Sequence, residues 1–124
     1  MIFVVQRHRA TTLHYDLRLE VDGVLASWAV PKEPTTDARV KRLAVQVDDH
    51  ELEHATYEDA TKTIWDHGSY DDLTGPSAAQ AIAAGHIKVH LHGTRLDGVF
   101  ALTRTSMNGD PRNWILVKVG GAQV

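Results

Sequence analysis

His14, Asp16 and Arg18 stand at alternate positions in Leu13-His14-Tyr15-Asp16-Leu17-Arg18-Leu19-Glu20-Val21. Side chains alternate across a strand with a period of two, so these three share one face with Glu20 while the apolar residues share the other. His8 lies a short turn upstream, within reach of His14. Two imidazoles and a carboxylate can hold a divalent metal, and a neighbouring guanidinium suits an anion. Three such ligands leave coordination positions open, as catalytic metal sites do. The donors suit manganese, zinc, iron or cobalt, and the same composition serves non-haem iron oxygenases. The cation supply discriminates between these chemistries. Arg18, Lys32 and Arg42 exceed what one carboxylate cosubstrate needs, and they fit a phosphate, whose transfer is catalysed chiefly by charge neutralisation and positioning. A merely solvated strand face is the plain alternative.

His50 and His54 lie four apart in Asp48-Asp49-His50-Glu51-Leu52-Glu53-His54. Beside a metal, either could contact a phosphate oxygen or donate a proton to a leaving oxygen. Loop histidines hydrogen-bonded to backbone are the alternative. His86, His90 and His92 form a second group with no carboxylate among them, and read mainly as the outer face of a strand, with a weak metal site as the alternative.

The elements that must position these residues are short. Asp22-Gly23 is a hairpin signal. It sets Val21 against Val24, Leu19 against Ala26 and Leu17 against Trp28 on one side, with Arg18 against Ser27 and Asp16 against Ala29 on the other. Ile2-Phe3-Val4-Val5 reads as a first strand, and Pro31 ends the third. In Arg42 to His50, Leu43, Val45 and Val47 alternate with polar or small residues. Arg42 and His50 share parity, but eight residues of strand span roughly 26 Å. Either the chain bends at Asp48-Asp49 or the two serve different parts of a groove. Lys62 to Tyr70, His86 to His92, Val99 to Thr105 and Trp114 to Val119 complete the strands. Pro76 to Ala84 is the one helix signal, with Gly85 as its stop. Seven or eight short strands with tight turns and one short helix predict a mainly β, small antiparallel barrel over residues 1–124, with Tyr15, Trp28, Trp65 and Trp114 in or near its core.

With 124 residues, 43% of them apolar, the chain has enough for one core. It has no cysteine, so a metal must use its eight histidines or its carboxylates. The net charge of −3 argues against a uniformly basic nucleic-acid-coating protein. No apolar run is long enough for a bilayer and no leader precedes the first strand, so a cytoplasmic, membrane-free monomer is expected.

Several stretches carry a resemblance: Phe3-Val4-Val5-Gln6-Arg7-His8, Leu13 to Glu20, Asp22-Gly23-Val24-Leu25 and Ser27-Trp28-Ala29-Val30-Pro31-Lys32. It continues through Lys41-Arg42-Leu43-Ala44-Val45, Asp49-His50, Trp65-Asp66, Gly85-His86-Ile87-Lys88, Leu91-His92-Gly93 and Trp114 to Lys118. These closely resemble the 3′-phosphoesterase domain of bacterial DNA ligase D and its stand-alone relatives. The resemblance implies a β-barrel enzyme that heals 3′ ends in end-joining repair. It removes a 3′-phosphate, and at a primer-template it can first remove a 3′-terminal ribonucleoside. It implies manganese, with zinc or cobalt as substitutes, on His8, His14 and Asp16. Arg18, Lys32, Arg42 and His50 then match phosphate-binding and catalytic positions. DNA or DNA/RNA primer-template 3′ ends would be the partners, alongside a separate ligase, polymerase and Ku. The chain departs from the family in three places. His54 stands where a tyrosine is usual, the following loop is cut to Thr56-Tyr57-Glu58-Asp59-Ala60, and the basic N-terminal arm of many ligase-fused members does not precede the first strand. The short loop bears on the grip on duplex and on the ribonuclease step. The rival readings are a module that binds 3′-phosphate ends without turnover and an iron oxygenase.

Overall fold

Antiparallel pairing runs without a break round the computed structural model, which describes residues 1–75 and 77–120. The strands are β1 (Ile2–Arg9), β2 (Leu13–Val21), β3 (Val24–Val30), β4 (Lys41–Glu51), β5 (Lys62–Asp72), β6 (His86–His92), β7 (Asp97–Arg104) and β8 (Asn113–Lys118). They follow the order β1-β2-β3-β4-β8-β7-β6-β5, and β5 pairs with β1 to close the barrel. Closure removes the unpaired edges that a small open sheet would expose.

One apolar cluster draws a residue from every strand: Phe3, Leu19, Trp28, Ala44, Tyr70, Ile87, Phe100 and Trp114. That shared side is the barrel interior. The β2–β3 hairpin has the register that Asp22-Gly23 predicts, with Arg18 opposite Ser27 and Asp16 opposite Ala29. Both turn residues have positive φ, 51° and 84°, as a two-residue turn of the primed type requires. The helix α1 (Ala78–Ala84) starts two residues later than the helix signal, capped by the Ser77 side chain, while Pro76 lies outside the described residues. Gly85 ends it in the left-handed conformation, and Ala78, Ala81 and Ile82 join the core beside the β2–β3 turn. No helix among the described residues is long and apolar enough to cross a membrane.

The apolar alternation in β4 points the wrong way. Ala44 is the core residue of that strand, while Leu43 and Val47 are exposed. β3 decides the matter, because Val45 and Val47 pair with Ala29 and Ser27, whose side chains share the outer face with Arg18 and Asp16. Inside, Trp28 and Trp114 meet edge to face at 5.5 Å and leave room only for a small side chain such as Ala44. Gln46, on the same inward side, accepts a hydrogen bond from Trp114 Nε1. Tertiary packing overrode hydrophobic pattern here.

Candidate active site

Three strands lay one polar row on the outer wall. β1 and β2 pair His8 with His14, Gln6 with Asp16 and Val4 with Arg18, and β3 adds Ser27 beside Arg18. His8 Nδ1 lies 3.4 Å from Asp16 Oδ2, and His14 Nε2 lies 3.1 Å from Asp16 Oδ1. The two rings meet edge to face at 4.8 Å. Two imidazole nitrogens thus converge on opposite oxygens of one carboxylate, a donor set of the kind that binds borderline divalent ions. The histidine side chains are about a quarter exposed (25% and 22%), and that of Asp16 only 8%, so the cluster opens to solvent on the histidine side.

Arg18 lies deeper, only 1% exposed. Its Nη2 is 3.5 Å from Asp16 Oδ2. Its Nε donates to Gln6 Oε1 and its Nη1 to Ser27 Oγ, both at 2.8 Å, and Nη1 also lies 3.0 Å from His50 Nδ1. A guanidinium has five N–H donors. Hydrogen bonds occupy three of them, while Nη2 makes only the 3.5 Å ion-pair contact with Asp16 among the described residues. Burial pulls the Arg18 pKa down, and the Asp16 carboxylate opposes that shift.

Gln6 ties this arginine to its cover. It is fully buried and its Nε2 donates to the carbonyls of His54 and Tyr57, at 2.8 and 3.0 Å. Those carbonyls belong to the 3₁₀ segment Leu52–Thr56 and the residue after it. Ala55 of that segment packs with Val4, Leu25 and Ile64 in a small apolar cluster of its own, separate from the barrel core. The cover therefore sits on the outer wall at the Arg18 end of the row. Tyr57 stacks on His54 at 5.2 Å and donates from its hydroxyl to Asp59. With Thr61 and Lys62 also donating to it, Asp59 is held down to about 2, so the short loop is pinned.

His50 reaches the row because β4 carries one extra residue. β3 advances two residues from Leu25 to Ser27 while β4 advances three from Val47 to His50, so a bulge at Asp48-Asp49 turns His50 to the outer face. Its ring lies 5.0 Å from that of His54. Nδ1 stands 3.0 Å from both Arg18 Nη1 and the Asp48 carbonyl. The charged donor makes the stronger hydrogen bond, so the network assigns Nδ1 as acceptor from Arg18 and leaves Nε2 as the N–H donor. Burial first, then the positive Arg18, lowers the His50 pKa from 6.5, with smaller contributions from His54 and Lys62 and opposition from the Asp48 carbonyl. The pKa of His54 is lowered in the same way, by burial and then Arg18. The unfolded chain therefore takes up protons first as pH falls, and stability drops as pH falls below 6.5. Urea denaturation at pH 7.5 and pH 5 is expected to show this loss in the wild type and a smaller loss in His50→Gln.

Lys32 and Arg42 line one cleft with Pro31, Lys41 and Leu43, and Arg42 Nε donates to the Glu33 carbonyl. No hydrogen bond or ion pair among the described residues joins them to Asp16 or Arg18. Arg42 has the inward parity of Ala44, and the bulge breaks the parity it shares in sequence with His50. The chain bulges at Asp48-Asp49, which takes His50 out of the parity of Arg42. Gln6 and Ser27 are site residues that their types alone do not announce. The hairpin register does place Ser27 against Arg18, whereas Gln6 could be found only from the pairing of β1 with β2.

Fold and site define a closed β-barrel protein with a two-histidine, one-carboxylate cluster set against a buried arginine. The chain belongs to the DNA ligase D 3′-phosphoesterase domain family, whose model matches residues 6–104. It is 43% identical over 125 residues to the multifunctional non-homologous end joining protein LigD of Pseudomonas aeruginosa, a match covering 94% of this chain and 15% of the relative. It is 44% identical over 117 residues to the multifunctional non-homologous end joining DNA repair protein LigD of Mycobacterium tuberculosis, covering 87% and 15%. For LigD of Mycolicibacterium smegmatis the identity is 38% over 130 residues, covering 91% and 16%. The chain thus spans about 15% of the length of the curated relatives it matches.

Proposed function

We propose that this chain is a metal-dependent phosphoesterase that removes 3′-phosphates from DNA ends, leaving a 3′-hydroxyl for ligation in end-joining repair. One observation carries the reading: Asp16 is shared between two imidazole nitrogens and a buried arginine, so a cation site and an anion site abut. His8, His14 and Asp16 would hold the ion, with manganese the first choice and zinc or cobalt as substitutes. Bound there, a divalent ion supplies Lewis acidity toward a phosphoryl oxygen. Arg18 offers Nη2 to a second phosphoryl oxygen, and Asp16, Gln6 and Ser27 hold that donor in place beforehand. Neutral His50, with hydrogen on Nε2, donates toward the leaving 3′-oxygen. His54, its ring beside that of His50, adds a second imidazole to the phosphate side. Lys32 and Arg42 neutralise phosphates of the strand running away from the reacting end. DNA or DNA/RNA primer-template 3′ ends are the substrates, and ligase, polymerase and Ku functions would work alongside.

The pinned loop after His54 bears on the ribonuclease step. A labelled primer-template ending in one ribonucleotide 3′-phosphate tests both activities on one gel. Manganese-dependent loss of the phosphate, blocked by EDTA, is the expected result. Loss of the ribonucleoside as well would extend the activity to the diester. End-binding with no turnover under any divalent metal would replace this reading with that of an end-binding module.

A further inference from the structure

The outer face of β6 holds a second cluster of metal-binding side chains, three strands round the wall from β2. His86 leaves the sequence-level histidine group, since its Nδ1 lies 2.9 Å from Thr103 Oγ1. His90 and His92 remain together, and the neighbouring strands bring carboxylates that the sequence around them lacks. Asp71 on β5 pairs with His90, and Asp97 on β7 pairs with His92. One ligand atom each from His90, His92 and Asp97 falls within 4.8 Å of the others. Asp71 Oδ2 stands 2.9 Å from His92 Nε2.

We propose that His90, His92 and Asp97 form a second cation site for a borderline divalent ion such as Zn2+, with Asp71 holding the His92 ring from outside. Two features separate this cluster from an ordinary histidine–aspartate pair. The imidazole rings lie nearly parallel, 22° apart with centroids at 4.2 Å, with a nitrogen of each within 4.8 Å of the other. Two nitrogens and one oxygen make a three-donor set of borderline character, and Asp71, hydrogen-bonded to His92, is the kind of outer partner that orients a ligating ring. The donors come from β6 and β7 and the outer partner from β5, so a bound ion ties these strands together. It therefore stabilises the fold by binding the native state only.

Zinc titration by calorimetry, paired with thermal melts, tests this independently of the phosphoesterase reading. The starting protein is the full chain carrying His14→Gln, which breaks the candidate active-site cluster. It is expected to bind one Zn2+ and to melt at higher temperature with zinc. Adding His90→Gln and His92→Gln, or Asp97→Asn alone, should weaken that binding at least 10-fold and remove the thermal shift. These side chains are at the surface, so the variants should melt with the parent in the absence of zinc. A His14→Gln chain that binds no zinc, or zinc binding that survives the β6 substitutions, overturns the proposal.

Discussion

Asp16→Asn is expected to lower manganese-dependent release of a 3′-phosphate on the order of 100-fold or more, as losses of ligands and of transition-state charge stabilisation do. Asp16 is the one group that touches every part of the row: His8, His14 and Arg18. An asparagine keeps the volume but offers a single oxygen, and its amide would face an imidazole nitrogen or the guanidinium. Its neutrality also strips a buried arginine of its counter-charge. Stability should therefore fall together with activity. His14→Ala separates the two effects, because the His14 side chain is 22% exposed and bonds to nothing deeper than Asp16. It should lose comparable activity while keeping nearly wild-type melting. Single-turnover kinetics across a manganese titration, alongside thermal melts, reads both quantities. Activity in Asp16→Asn within about threefold of wild type would remove the row from the chemistry.

Arg18→Met carries the second large effect. The guanidinium is buried against Asp16, Gln6, Ser27 and His50, so its removal leaves a carboxylate with 8% exposure and an amide oxygen without their donor. Breaking a buried ion pair from one side costs about 3 kcal/mol or more, which lowers Tm by about 10 °C in a domain of this size. Turnover should fall about 100-fold beyond any folding loss, since a preorganised donor to the phosphoryl oxygens goes with it. Arg18→Lys is the informative companion. It restores charge but cannot meet Gln6, Ser27 and Asp16 at once, so it should regain part of the stability and little of the activity. Lysine working as well as arginine would mean that charge alone matters at this position.

The removal of the Arg18 donors also explains why Gln6, silent by residue type, belongs to the site. Its amide is the joint between the arginine and the carbonyls of His54 and Tyr57. Loosening that joint frees the cover that carries His54.

By itself the sequence determined the key hairpin and the chemistry it presents. Alternation in Leu13 to Val21 and the turn at Asp22-Gly23 are local signals. Side-chain period and turn geometry fix a two-strand register without reference to the rest of the chain, and the pairs of Arg18 with Ser27 and Asp16 with Ala29 follow. The hairpin also lies within the stretch, residues 6–104, that matches the ligase D phosphoesterase domain family. Tertiary structure decided whatever depends on a neighbour distant in sequence. The inward face of β4 went to Ala44 because Trp28 and Trp114 had filled the interior. His50 joined Arg18 through a one-residue bulge. Asp71 reached His90 and His92 only through the pairing of β5 with β6, whereas Asp97 comes to His92 across the local β6–β7 turn. Pairing between distant strands is set by closing the barrel over a shared core, a condition on all eight strands at once that no single stretch of sequence expresses.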